Sequence, residues 1–278
     1  MRPKDIENKI ILVAGASGGI GRATCKYLAD HGVIVVAASR KRDQASAEAA
    51  MHIAADLSTA AGWKTVVQTA LAEYRHIDVL VNCVGSLVPG TFESLSDEDV
   101  DLIIKANIAS VVYGMRAIVP VMRRQGRGHI INVGSLGGII PMPFGALYSA
   151  SKFAVRGLCL SLRKELHRSG VKVSLLSPGA VQTPMLDREA MDDQSAMTFA
   201  TSILKPEEVA REIFNVILNP KDEVILPKRI AAFARLVGSS SRLFSALFPF
   251  LRSLGRARLY AYRRIRPLPL PNLEAIET

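Results

Sequence analysis

Lys9-Ile-Ile-Leu-Val-Ala14, Gly15-Ala-Ser-Gly-Gly-Ile-Gly21 and Arg22-Ala-Thr-Cys-Lys-Tyr-Leu-Ala29 follow one another without a break, and the fold turns on how they are read. The first run is short, apolar and rich in β-branched residues, so it reads as a buried strand. The third reads as a helix, about 20–31. A strand, a glycine turn and a helix together build an anion site. The glycines let the backbone bend sharply and let a phosphate approach, while the helix start offers N–H groups at the positive end of its dipole. The spacing is G-x-x-x-G-x-G from Gly15 through Gly19 to Gly21, with Gly18 added and Ser17 and Ile20 inside the turn. It lacks the Gly-Lys-Ser/Thr of a P-loop and departs from G-x-G-x-x-G. A turn that binds nothing is the plain alternative.

Further strand-like runs at 33–38, 51–55, 77–82, 129–134, 171–177 and 223–226 alternate with helical patterns at 59–74, 96–124, 146–168 and 206–218. Such alternation implies an α/β fold, a single Rossmann-like doubly wound parallel sheet with helices on both faces and its ligand at the carboxyl edge. A chain of 278 residues can bury one large core, and neither an internal repeat nor a Ser/Gly linker divides this region. One domain over 1–227 is expected, followed by a basic amphipathic extension over 228–278.

Tyr148 and Lys152 stand four residues apart on a predicted helix, and Ser135 lies thirteen residues upstream of the tyrosine. Positions i and i+4 share a helix face, so the ammonium can lie beside the phenol oxygen. A free tyrosine has a pKa of about 10, and a neighbouring cation lowers it toward the range useful for proton exchange. Ser135 can hold a substrate oxygen against the phenol. Alone, Y-x-x-x-K is weak, since a tyrosine stacked on a lysine stem gives the same spacing.

Taken in order, Gly15-x3-Gly19-Ile20-Gly21, Asn82-x-x-Gly85, Asn107, Ser135, Tyr148-x3-Lys152 and Pro178-Gly179-x-Val181-x-Thr183 resemble the short-chain dehydrogenase/reductase family over about residues 7 to 227. The resemblance implies a role for each. Tyr148 is the general acid or base at a carbonyl, Lys152 lowers its pKa and bonds the nicotinamide ribose, and Ser135 orients the carbonyl. Asn107 kinks its helix and holds a water next to the lysine. Asn82 and Gly85 close the floor under the adenine-ribose side. Pro178, Gly179, Val181 and Thr183 wrap the nicotinamide, and Asp56-Leu57 meets the adenine. Ala14 and Cys83-Val84 depart from the family's frequent residues without touching the chemical step.

The end of the second strand bears on the dinucleotide. An acidic residue there suits the ribose 2′-hydroxyl of NAD, and a basic one suits the 2′-phosphate of NADP. This chain has Ala38-Ser39-Arg40-Lys41-Arg42, with the first carboxylate at Asp43. Ser39 can donate a hydrogen bond and Arg40 can fork onto a phosphate. NADP(H) is favoured and NAD(H) is the lesser alternative.

His31, His52, His76, His129 and His167 have no metal-ligand spacing, and Cys25, Cys83 and Cys159 form no C-x-x-C, so no metal is expected. Sparse thiols and a start without an apolar signal segment point to the cytosol. The net charge of +10 is concentrated in the tail: residues 228 to 278 hold ten Lys/Arg and two Glu. Apolar runs at 230–237 and 243–251 are punctuated by Arg235, Arg242 and Arg252, too short and too charged at their edges to span a bilayer. Attachment of 228–266 to an anionic membrane surface is the favoured reading. A subunit interface or a helix pair covering the substrate comes second, and nucleic-acid binding is not expected. Residues 184 to 204 are expected to form a lid. Met185, Leu186, Met191, Met197, Phe199 and Ile203, with Leu87, Val88, Leu136, Ile139, Ile140, Met142 and Phe144, suggest an apolar pocket for a lipophilic ketone or alcohol, steroid, retinoid-like or long-chain. A 3-oxoacyl-[acyl carrier protein] reductase and a non-catalytic dinucleotide sensor are the alternatives. A homo-oligomer, dimer or tetramer, is expected.

Overall fold

A computed structural model describes residues 6–40 and 47–266. Lys41, Arg42, Asp43 and the proline-rich 267–272 therefore lie outside the described residues. Seven strands form one parallel sheet: β1 Ile10–Ala14, β2 Ile34–Ser39, β3 Met51–Ala54, β4 Val79–Asn82, β5 Gly128–Val133, β6 Val171–Pro178 and β7 Glu223–Leu226, in the order β3-β2-β1-β4-β5-β6-β7. The order reverses between β1 and β4, which opens a crevice at the carboxyl ends of these strands.

The inner strands β1 and β4 are almost wholly apolar because both of their faces are covered. In β1, Ile10, Leu12 and Ala14 enter the core under α2 (Ala60–Tyr74), α4 (Ser110–Gln125) and α5 (Ala146–Glu165). Ile11 and Val13 enter the opposite core, under α1 (Gly19–Ala29) and α7 (Pro206–Leu218). Trp63 anchors the first layer. It is fully buried, its Nε1 donates to the Leu57 carbonyl at 2.9 Å, and Gly114 of α4 passes so close that a Cβ there would stand 2.5 Å from the indole. The run 97–125 is long and apolar enough to cross a bilayer by length and composition. Val111, Met115, Ile118 and Met122 are nonetheless buried in the protein core.

The single helix expected at 96–124 is in fact two. After α3 (Asp97–Ile103), capped by Ser96 and Asp99, the chain makes a π turn over Ile104–Ala109 before α4 begins. The Ser110 N–H reaches back to Lys105 rather than Ala106, and the extra residue widens the turn around Asn107. The tail is helical: α8 (Ala231–Gly238) and α9 (Ser241–Ile265) fold back over the carboxyl edge of the sheet. There they cover α6 (Pro184–Glu189) and the 3-10 helix Asp193–Ala200.

Candidate active site

Every sequence-predicted site residue falls at the carboxyl edge or on the helices that rise from it. Gly15 to Gly21 follow β1, Ser39 and Arg40 end β2, Asp56 and Leu57 follow β3, and Asn82 ends β4 with Gly85 just beyond. Ser135 follows β5, and Pro178 ends β6. Gly15, at φ +77°, could carry no side chain without meeting the Cys83 backbone at 2.9 Å, and Gly18 caps α1 without offering a side chain. The first amides of α1 therefore have no side-chain acceptor. This is what a pyrophosphate needs, so the residues fit a dinucleotide. Gly19 abuts Thr183, where a Cβ would come 2.6 Å from its Cγ2, and the phosphate loop thus meets the Pro178–Thr183 segment.

Ser135, in extended conformation, accepts the Gly137 N–H at 3.0 Å, which fixes its Oγ at the mouth of β5. Tyr148 lies in the first turns of α5, where Ser149 ties the helix to the Ser135 loop through the Gly137 carbonyl. Lys152 is buried, and its Nζ donates to the Val133 carbonyl at 3.3 Å while lying 5.6 Å from the centre of the Tyr148 ring. Burial pulls this amine down to about 8 against the opposing pull of Cys83.

The phenol does not behave as the spacing suggested. Burial pushes Tyr148 up, a hydrogen bond with Ser135 lowers it, and Glu189 raises it further. Lys152 was expected to lower the phenol, and burial is the largest influence on it. The ammonium sits over the ring and is engaged by Val133, so desolvation wins.

Asn107 is fully buried. Its Oδ1 accepts from Ser86 N–H at 2.7 Å, and its Nδ2 donates to Ser86 O and Ser151 Oγ, both at 2.9 Å. The side chain thus ties the loop after β4 to α5. A Cβ on Gly85 would lie 3.3 Å from both Asn107 Oδ1 and Lys152 Nζ, so glycine keeps the space between them open. Asn82 donates to Asn132 at 2.7 Å and keeps a buried Oδ1 without a partner.

On the adenosine side Arg40 is exposed, and Asp56 accepts from the Ser58 N–H and Oγ at 2.9 and 2.8 Å, which with Arg40 holds its carboxyl below the usual range. The Ser39 hydroxyl is buried and bonded to His52 Nε2 at 3.0 Å. Leu57 is packed in the core.

A cavity of about 550 Å³ opens over Ser135, Tyr148 and Lys152, with Ile20, Gly85, Pro178, Gly179, Val181 and Thr183 also in its walls. Leu87, Leu136, Ile140, Met142, Phe144, Met185, Leu186 and Met197 line it as expected. Phe199 and Ile139 are core instead, and Val88, Met191 and Ile203 stand outside the lining. The sequence reading missed Glu189, Thr198 and Thr201 of the lid, and Phe250, Leu254 and Arg258 of α9, which complete the wall. The lid is latched from above. Tyr262 Oη donates to Asp187 at 2.7 Å, Arg266 pairs with Asp187 at 2.9 Å, Arg263 with Asp193 at 2.6 Å, and Arg258 donates to the Ala200 carbonyl at 2.7 Å. These side chains of the tail hold the lid. Among the described residues no group of His, Cys, Asp or Glu could hold a metal ion.

Similarity to known proteins agrees with this geometry. Residues 9–194 match the short chain dehydrogenase family. A 3-ketodihydrosphingosine reductase of Bacteroides thetaiotaomicron is 33% identical over 202 residues, 72% of this chain and 75% of the relative. A 3-alpha-(or 20-beta)-hydroxysteroid dehydrogenase of Mycobacterium tuberculosis is 35% identical over 185 residues, 64% and 71% of the two chains. The crystal structure of a short chain dehydrogenase/reductase from Burkholderia phymatum in complex with NAD superposes with a TM-score of 0.77 at 26% identity, covering 86% of this chain and 95% of that one. The glycine turn, the edge-on cavity and these matches lead to one conclusion: the chain belongs to the short-chain dehydrogenase/reductase family.

Proposed function

We propose that this protein interconverts a ketone or aldehyde and an alcohol on a lipophilic substrate, with NADP(H) as its dinucleotide. The observation that carries the reading is the cavity itself, apolar along most of its wall and closing on Ser135 and Tyr148. Two relatives are named for lipophilic substrates, which supports it. The exposed Arg40 at the end of β2 favours a 2′-phosphate over a bare hydroxyl.

The dinucleotide supplies the hydride when bound; the chain's own residues do the rest. Ser135, held by Gly137, bonds the carbonyl oxygen and sets its distance from Tyr148. Tyr148 gives its proton to that oxygen in reduction and takes it back in oxidation. Lys152, buried and cationic below about 8, offsets the charge left on the phenol oxygen. Asn107 keeps α5 and the loop after β4 in register around them. The lid and α9 exclude water. A screen following NADPH absorbance against steroids, retinoids, long-chain ketones and acyl-carrier thioesters tests the assignment: turnover of the lipophilic ketones supports it, and turnover confined to carrier-bound thioesters overturns it.

Attachment to an anionic membrane surface is a second reading, carried by Phe233, Leu236 and Phe250, which are 45%, 60% and 66% exposed on α8 and α9 beside Arg229, Arg242 and Arg256. It keeps the enzyme in the cytosol with its cavity mouth against lipid, and flotation with anionic liposomes tests it. A homo-oligomer is proposed from the exposed Leu102, Ile104 and Val112 together with Phe153 and Leu160 of α5, and light scattering measures its mass.

A further inference from the structure

We infer that Phe144 is the residue by which the cavity tells a bulky apolar substrate from a small one, and that Arg252 of α9 holds its ring in place. The inference rests on the lipophilic-ketone reading above and assigns the side chain that makes the selection.

Phe144 stands in a turn that leads directly into α5 and Tyr148. The Gly145 N–H donates to the Met142 carbonyl at 3.2 Å, so Pro143 and Phe144 are the two central residues of that turn. Proline suits the first of these positions. The second has φ +62°, in the left-handed region that favours glycine or asparagine and that a bulky side chain rarely adopts. A glycine does follow, at 145, but there φ is −150°. The backbone therefore asks for a small residue at 144, and the chain supplies a phenyl ring instead. Strain of this kind, kept in the wall of an active site, points to a task for the side chain that bears it.

The surroundings of the ring show what the task is. Phe144 lines the cavity that holds Ser135, Tyr148 and Lys152, and Arg252 Cζ lies over its ring, 5.4 Å from the centre. Arg252 itself stands outside the cavity lining. Among the described residues no carboxylate pairs with this guanidinium, and its buried Nε has no hydrogen-bond partner. The contact it makes is with the ring, which it backs from the α9 side while the cavity meets the remainder. The tail thus shapes the cavity twice, through the latched lid and through the turn before α5. An apolar surface fixed in this way gains most from a substrate large enough to cover it, because apolar contact scales with the area removed from water.

The test measures kcat/KM with NADPH for a long-chain ketone and for a short, water-soluble one, in the full chain and in Phe144→Gly. Glycine suits φ +62°, so this variant removes the ring without breaking the turn, and thermal melting checks that it is folded. The long-to-short ratio is expected to fall by about tenfold or more, the weight of one aromatic contact. Arg252→Met keeps the stem and removes the cation, and should lower the same ratio by about threefold. A turn with a purely structural role would depress both ketones alike, so an unchanged ratio in Phe144→Gly overturns the inference. A ratio that falls in Phe144→Gly and stays whole in Arg252→Met overturns the part given to Arg252. Calorimetric titration of the NADPH-saturated protein with a long-chain and a short alcohol needs no turnover. There too Phe144→Gly should lose about tenfold of the preference for the long chain. If no ketone is turned over, the ketone reading falls and the titration still decides: a preference for the long alcohol that survives Phe144→Gly overturns the role of Phe144.

Discussion

Tyr148 and Lys152 lie one helical turn apart on α5, and the Lys152 ammonium stands 5.6 Å from the centre of the Tyr148 ring while bonded to the carbonyl of Val133 at the end of β5. The lysine is thus fixed by the sheet and not by the phenol. Its own proton is loosened by burial, to about 8, and the phenol is pushed up by the same burial. Burial works against the charged form of both groups: it favours the neutral phenol of Tyr148, while Lys152 stays cationic below about 8.

Arg40 stands exposed where β2 ends, and it adds to the charge that keeps Asp56 ionised. Arg40→Asp should weaken NADPH binding by about one to two orders of magnitude, the size of a charge-assisted phosphate contact replaced by a repulsive one. NADH binding should change far less. Fluorescence titration with both dinucleotides measures this, and equal use of the two before and after the change refutes the NADP assignment.

Gly255 of α9 lies against the Ala196 carbonyl of the lid, in a space that no Cβ could occupy. Gly255→Leu should lift α9 from the 3-10 helix Asp193–Ala200, strain the Arg263–Asp193 and Tyr262–Asp187 contacts, and loosen the lid. The expected result is faster proteolysis within 184–204 and a raised KM for lipophilic substrate. Unchanged proteolysis would mean that α9 does not restrain the lid.

Glu223 at the start of β7 is shared by Arg156 of α5 at 2.6 Å and Arg235 of α8 at 3.5 Å. Burial acts to raise its carboxyl, but Arg156 and then Arg235 hold it below the usual range. A depressed folded pKa means stability that is present above the ordinary value of about 4.3 and lost as pH falls through the folded value. Glu223→Gln should therefore cost about 1–3 kcal/mol at pH 7 and very little in acid. Denaturant titrations at both pH values check it; an equal loss at both would show that the charge is not what stabilises.

The sheet was legible because the central strands β1 and β4 are buried on both faces and their runs are almost wholly apolar, and because glycine marks the turn after β1 in the sequence itself. Ser135, Tyr148 and Lys152, which the structure brings to one cavity, stood out as spacings on α5 and at a strand end. The kink at Asn107 was anticipated from the resemblance, but its form, a π turn over Ile104–Ala109 with Asn107 bonded to Ser86 and Ser151 on other elements, was not. The tail stayed open to two readings for a related reason. Arginines on an amphipathic helix suit a lipid surface or a protein surface equally, and what decides is a set of partners about seventy residues away, as in Arg263 with Asp193. The burial that acts on Ser39 and on the Tyr148 phenol is not something that spacing reports. Glu189 left a trace in the sequence, an acid at the end of the short apolar segment after Pro184, but only the cavity gives it meaning.

The most direct measurement is the reduction of a lipophilic ketone by Tyr148→Phe, which keeps the ring and removes the proton. The expected outcome is a loss of at least about two orders of magnitude in kcat/KM with NADPH affinity within about threefold of wild type. Turnover within about threefold of the unaltered protein would contradict the assignment of Tyr148 as the acid, and with it the mechanism.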